Sequence, residues 1–454
     1  MMQDFCKRWE TRRLASLFSE NKNLNTFLVE KNALQFKYGN IVAKKQYELT
    51  DDLVETYRKY TIVQPGDIMI NGLNLNYDFV TQRVAQVSQK GIITSAYIAL
   101  SPHSDVVSKY YLYYFKALDS IKAFNGMGTG IRLTLSFELL KSMRLPVPPR
   151  EEQDQIVRFL DWKVSSINKL ILNYRNRIVL LDEIKQKQIN KSAIEGLRKS
   201  TLIHNEDIRW DIDYPVHWKI RRARELFSFR KGLSITKANL EETGVAVISY
   251  GQVHSKKNTG VGLNEDLVRY VNDSYLSTNQ SCLVEKGDFV FADTSEDVSG
   301  CGNCVYVDWD NVMFAGYHSI IAHSEGSANN KYFAYLFQSP TWRYQIRKKV
   351  NGVKVYSITQ KILKDAFILL PPDDEQREIV RHLDDVCEKI NAVIQKTEEK
   401  IVNLQDLKTR LISDVVTGKI DVRGIDIPDY EFTEEVPDAE PEIDGEDEFS
   451  EQEG

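Results

Sequence analysis

An α+β protein made of two tandem copies of one mixed α/β domain, each followed by a long helix, is predicted from three observations. One motif occurs twice at a fixed offset. Both copies open a long stretch with the same apolar rhythm. Four further motifs recur in the same order. Self-similarity at a constant spacing is the mark of duplication.

The repeated motif reads Leu145-Pro-Val-Pro-Pro-Arg-Glu-Glu-Gln-Asp-Gln-Ile-Val-Arg-Phe-Leu-Asp161 and Leu369-Leu-Pro-Pro-Asp-Asp-Glu-Gln-Arg-Glu-Ile-Val-Arg-His-Leu-Asp384. At an offset of 223 residues, Pro148, Pro149, Glu152, Gln153, Ile156, Val157, Arg158, Leu160 and Asp161 meet identical residues. Paired prolines end the preceding element and pre-set the backbone for a first helical turn. Acidic residues follow where the helix dipole favours negative charge. In the second copy Asp373 and Gln376 have capping-box spacing.

Beyond each start, apolar residues recur three and four apart. The first run is Leu160, Val164, Ile167, Ile171, Tyr174, Ile178, Leu181; the second is Leu383, Cys387, Ile390, Ile394, Thr397, Ile401, Leu404, Leu411. This is a coiled-coil seam. Two equivalent seams in one chain predict that the helices pair with each other.

In chain order, Trp9-Glu-Thr-Arg-Arg-Leu-Ala-Ser-Leu-Phe18 matches Trp218-Lys-Ile-Arg-Arg-Ala-Arg-Glu-Leu-Phe227. Pro65-Gly-Asp-Ile-Met-Ile70 matches Lys286-Gly-Asp-Phe-Val-Phe291, a turn feeding a strand. Lys109-Tyr-Tyr-Leu-Tyr-Tyr-Phe115 matches Lys331-Tyr-Phe-Ala-Tyr-Leu-Phe337, an aromatic helix, and Gly130-Ile-Arg-Leu133 matches Gly352-Val-Lys-Val355. Because the aromatic clusters and Trp9 and Trp218 are placed alike in both copies, a shared core role is expected of them. What lies between the motifs diverges: Asn71-Gly-Leu-Asn-Leu-Asn76 stands against Ala292-Asp-Thr-Ser-Glu-Asp297. A common scaffold with two different polar loop sets suits two readers of two different things. The expected boundaries are a first reader over 1–149, a helix and linker over 150–200, a second reader over 201–370, a second helix over 371–424 and a disordered acidic tail over 425–454.

The 454 residues are too many for one core. Their net charge of −6 conceals a basic body: residues 425–454 hold 14 acids and no Lys or Arg, and the rest carries 51 acids against 59 bases. A basic body fits a polyanionic partner. No run of 18 apolar residues and no signal peptide are present, and five cysteines suggest a reducing cytoplasm. No Gly-x4-Gly-Lys-Ser/Thr phosphate loop occurs, since Gly418-Lys419 is followed by Ile, and no Asn-Pro-Pro-aromatic motif of an adenine methyltransferase. Cys301-Gly-Asn-Cys304 with His318 and His323 has zinc-finger spacing. His318–His323 reads as a strand, however, where positions five apart face opposite ways, and the first copy lacks these residues. No metal site is therefore expected. Gly126-Met-Gly-Thr-Gly130 lacks the strand-before, helix-after context of a nucleotide site and reads as a flexible turn.

The doubled Pro-Pro-acid-Gln helix start, the Tyr214-Pro-Val-His-Trp218 prefix and the Gly-Asp strand resemble the specificity subunit of type I restriction–modification systems, over residues 1 to about 424. The resemblance implies that each domain reads one half of a split, asymmetric site in double-stranded DNA. It further implies that the long helices pair antiparallel and dock two methyltransferase subunits, and that motor-nuclease subunits join the complex. The chain would be non-catalytic, with S-adenosylmethionine, ATP and Mg used by the partner subunits. Base readout is then expected from the divergent loops, Asn71, Asn74 and Asn76 in the first reader and Thr294, Ser295 and Asp297 in the second: Asn fits adenine bidentately and Asp accepts from cytosine. Arg132, Lys256, Lys257, Lys348, Lys349 and Lys354 are phosphate candidates. Two rival readings stay open on the residues alone, a zinc-dependent or nucleotide-binding enzyme and a protein-binding scaffold.

Overall fold

The computed structural model describes residues 9–434, apart from 38, 46–49, 76–81, 131–132, 205–209, 327–328 and 353. The chain divides into two compact units. One joins residues up to 175 with those from 397; the other is 176–396. Both are mixed α+β, and each takes part of both long helices, Arg150–Glu195 and Asp373–Val416.

In the first unit, strand Glu10–Arg13 pairs antiparallel with Arg144–Val147, so the two ends of the domain are stitched together. A four-stranded antiparallel sheet follows in the order Phe18–Glu20, Ile98–Pro102, Ile68–Ile70, Val84–Gln86. The helix Ser108–Ser120 lies in the same core; it buries Tyr110, Tyr111, Tyr114 and Phe115, and Phe18 meets Tyr111 edge-on at 5.4 Å. Buried tyrosines need partners for their hydroxyls. Tyr110 donates to Val416 O, Tyr111 to Pro146 O and Tyr113 to Asp161 Oδ1.

The second unit repeats this plan. Lys219–Arg222 pairs with Phe367–Leu370, and the four-stranded sheet runs Phe227–Lys231, Ser319–Ser324, Phe289–Ala292, Cys304–Tyr306. The helix Asn330–Gln338 stands where Ser108–Ser120 stands in the first unit: Tyr332 donates to Ala193 O and Leu369 O, and Tyr335 to Asp384 Oδ1. A five-stranded sheet is added here, with one parallel pair, Val245–Ile248 on Met313–Ala315. Ahead of Lys219–Arg222, Leu202–His204 pairs antiparallel with Asp213–Pro215, and Trp210 between the two strands is buried.

The repeated motif has a definite job at each helix start. Gln153 Nε2 donates to Pro148 O at 2.8 Å, and Gln376 Nε2 to Pro371 O at 2.9 Å. The capping box expected at Asp373 and Gln376 is thus replaced by a longer reach, because the Gln376 amide turns back to the proline carbonyl. Glu152 and Glu375 are buried and accept the indole N–H of Trp9 (3.1 Å) and Trp218 (2.8 Å). The helices end alike as well, in left-handed Gly196 (φ 76°) and Gly418 (φ 75°), the conformation glycine adopts without penalty at a helix C-terminus.

The two helices pair antiparallel. Lys408 Nζ meets Asn168 Oδ1 at 3.5 Å in the first unit, and Lys185 Nζ meets Asn391 Oδ1 at 3.1 Å in the second. One number rises from 168 to 185 as the other falls from 408 to 391, a constant register. Along the seam Leu160, Ile167, Ile171, Leu383, Cys387, Thr397 and Ile401 are buried. Val164, Tyr174, Ile178, Leu181, Ile390, Ile394, Leu404 and Leu411 are half-buried. Off the seam, Leu170, Val179, Leu180, Val402 and Leu407 are exposed.

The acidic stretch does not begin as a free tail. Gln155 Nε2 donates to Val422 O and Ile425 O, Ser165 Oγ to Glu431 O, and Asn168 Nδ2 to Thr433 O. Residues 422–433 therefore lie along the first long helix. The part of the tail beyond 434 lies outside the described residues.

Candidate nucleic-acid interface

In both units the divergent loop follows an inner strand of the four-stranded sheet and is joined to a second loop by an equivalent backbone bond. Leu135 N donates to Gly72 O at 2.8 Å, and Ile358 N to Asp293 O at 2.7 Å. The second loop is a hairpin, closed by the bridges Thr129–Thr134 and Asn351–Ser357. The glycine run 126–130 therefore enters a hairpin that leans on the reading loop. A Cβ on Gly128 would lie 2.7 Å from Leu75 Cδ1, so the glycine permits that close approach.

The first loop is organised by Arg83, which sequence reasoning missed. Its guanidinium, almost wholly buried, donates to the carbonyls of Asn71, Leu73 and Asn74 at 2.7–3.1 Å. A charged donor on three carbonyls fixes a loop that has no regular partner. Asn71 is half-buried, and its Oδ1 accepts from Leu73 N. Asn74 is exposed in the left-handed region (φ 49°). Asn76 and Arg132 lie outside the described residues. Nothing in the second copy corresponds to Arg83 by spacing, so the repeat carried no signal for it.

In the second unit Thr294–Ser295 pairs with Tyr356–Ser357 of the hairpin. Ser295 is 2% exposed, lines the cleft beside this loop, and its Oγ donates to Asp297 O. Asp297 is exposed, and hydrogen bonds from Ser299 and Gly300 N hold its carboxyl below the usual range. Lys256 and Asp297 line the same cleft. Lys257 lies 3.6 Å from Asp266. Lys348 and Lys349 are exposed just past the helix Pro340–Arg347, and Lys354 is exposed in the hairpin. The structure thus brings Ser295, Asp297 and Lys256 to one cleft, and leaves Lys257 engaged by an acid.

The four residues with zinc-finger spacing do not converge. His318 Nδ1 faces Asp293 Oδ1 at 3.1 Å, and His323 Nδ1 faces Asp288 Oδ1 at 2.7 Å. Cys301 and Cys304 are buried, and burial pushes the Cys304 thiol up to about 12. Among the described residues no group of three or more His, Cys, Asp or Glu is placed to hold a metal ion, and no helix is long and apolar enough to cross a membrane.

The type I restriction modification DNA specificity domain matches this chain twice, over residues 7–178 and 215–403. The chain belongs to the type I restriction–modification specificity family. It is 22% identical over 431 residues to the type I restriction enzyme MjaVIII specificity subunit of Methanocaldococcus jannaschii, covering 92% of this chain and 94% of that one. It is also 22% identical over 292 residues to the EcoKI specificity subunit of Escherichia coli, covering 63% of this chain and 59% of that one. A chain solved in work on complex assembly and conformational transition of the type I R-M system shares the fold, with a TM-score of 0.64 at 13% identity over 92% of this chain and 99% of that one. Target recognition in DNA is the role of this family. As a specificity subunit the chain is non-catalytic, and the cofactors belong to the methyltransferase and restriction subunits.

Proposed function

We propose that the chain reads a split, asymmetric DNA target, one half per unit, and brings two methyltransferase subunits and motor-nuclease subunits to it. The observation that carries this reading is the combination of a shared scaffold with unshared loops. Both units have the same four-strand order and the same loop-to-hairpin bond. Yet one reading loop is knotted around a buried arginine and the other around an aspartate turn. Phosphate contacts position such a reader, and base edges give it specificity. S-adenosylmethionine, ATP and Mg act in the partner subunits.

The test is to replace residues 214–370 with the second reader of another family member, express the complex, and map the methylated adenines. The expected result is a new second half-site beside an unchanged first one. A change in both half-sites would sink the one-reader, one-half-site arrangement.

A further inference from the structure

The second unit holds an open cleft of about 840 Å³ that takes in the divergent segment after strand Phe289–Ala292. Its walls are set by internal bonds. Asp297 Oδ1 accepts from Ser299 Oγ at 2.6 Å and from Gly300 N at 2.7 Å. Behind the loop, His254 Nε2 lies 2.8 Å from Thr294 O while its Nδ1 faces the Asn303 amide at 3.2 Å. Those partners make Nε2 the donor and Nδ1 the acceptor. A Cβ on Gly300 would come within 2.5 Å of Ser295 Oγ and 3.0 Å of His254 Nδ1, so glycine alone closes this corner.

Across the cleft, His318 sits in the left-handed region (φ 52°), a strained backbone for a residue with a side chain. Its side chain is nonetheless 60% exposed and is tied through Nδ1 to Asp293. Strain kept under an exposed polar group points to use. Tyr250 packs 6.2 Å from the His318 ring, and its hydroxyl donates to Glu296 Oε1 at 3.2 Å. Burial and the neighbouring Glu296 push the Tyr250 phenol up to about 12, so it remains a donor that orients the carboxylate.

Glu296 and Asp297 are exposed, and ionised carboxylates only accept hydrogen bonds. With Nδ1–H turned to the Asp293 carboxylate, His318 offers Nε2 as a third acceptor. Lys237, Lys256 and Arg269 line the same cleft. Acceptors and cations in one cleft match a base edge that carries an amino group beside phosphates. In the major groove those edges are adenine, through N6, and cytosine, through N4.

We propose that Glu296, Asp297 and His318, with Tyr250 as a positioning residue, set the second half-site by accepting from the exocyclic amino group of an adenine or a cytosine. This rests on the reading that each unit takes one half-site. The test uses the full chain with its methyltransferase partner and maps methylated sites for Glu296→Gln, Asp297→Asn and Tyr250→Phe. Gln and Asn keep the shape but can present a donor. Discrimination at one position of the second half-site should fall by roughly 5- to 150-fold, the range of one good base contact, with the first half-site intact. Tyr250→Phe should relax the same position more weakly, and Glu325→Gln, away from the cleft, should change nothing.

An unchanged motif at undiminished rate in both carboxylate variants would overturn the proposal. So would methylation lost equally at every sequence by variants that melt like the wild type. Should a carboxylate variant melt early, Tyr250→Phe decides by the same readout. Relaxation of both half-sites together would instead strike at the reading of one half-site per unit.

Discussion

Arg83 shows how much can hang on one side chain. It satisfies three carbonyls of the first reading loop at once. Arg83→Met keeps the stem but strips the donors, and each buried carbonyl left unpaired costs about 1–3 kcal/mol. We expect a lower melting temperature and a blurred first half-site, with the second half-site unchanged in the methylation map. Legibility at this scale follows repetition. Trp9 and Trp218 could be read as anchors because they recur, and the structure gives each indole a buried glutamate from the repeated motif. Ser295 and Arg83 do not recur, and polarity alone does not separate a loop's internal ties from its exposed contacts. Titration adds a second prediction. Burial holds the Cys304 thiol at about 12 and pushes the Tyr110 and Tyr332 phenols upward. Unfolded thiols ionise near about 8.5 and phenols near about 10. The raised folded values make this stability complete below those pH values and progressively lost above them, because the unfolded chain gives up its protons first. Melting temperature should therefore fall steeply above about pH 10, with tyrosinate absorbance from the buried residues appearing only on unfolding.

The long helices were the most legible elements, since a seam sustained over many turns has no other explanation once it occurs twice. Their register was not legible. It is marked by polar residues, with Lys408 on Asn168 and Lys185 on Asn391, and polar insertions in a seam fix register at some cost in stability. We expect the pair to act as a ruler between half-sites. Seven residues inserted in each helix, at the level of Lys185 and Asn391, preserve the heptad register and add about 10 Å, or about three base-pair steps. The methylated motif should keep both half-sites and gain bases between them. A motif of original spacing at full activity would refute the ruler. The acidic segment was the least legible element. Composition reads as too polar to fold alone, but residues 422–433 do not fold alone. Gln155, Ser165 and Asn168 take hold of their backbone carbonyls, which no side-chain pattern records.

At the scale of the whole chain, the two copies close each other. In its last turn the first long helix offers Ala193 O to Tyr332 of the second reader, and the second ends at Val416, whose carbonyl accepts from Tyr110 of the first. Arg198 and Arg423 even approach the equivalent glutamates, Glu375 at 3.5 Å and Glu152 at 4.0 Å. The order of synthesis makes this arrangement unequal. The core of the second reader uses Ile379 to Cys387, which leave the ribosome soon after that reader itself. The core of the first waits for Ile412, Val415, Val416 and Val422, the first of them 265 residues after its last strand ends at Val147. The domain made first is thus completed last, and during translation it stands with an open seam. Four buried aliphatic side chains are worth about 1.5–3 kcal/mol each, a sum comparable with the whole stability of a domain, about 5–15 kcal/mol. A chain stopped after residue 405 should therefore keep a protease-resistant second reader and lose the first to digestion, although no residue of residues 9–175 has been removed. Resistance of both readers would show that the first one folds without its late partner.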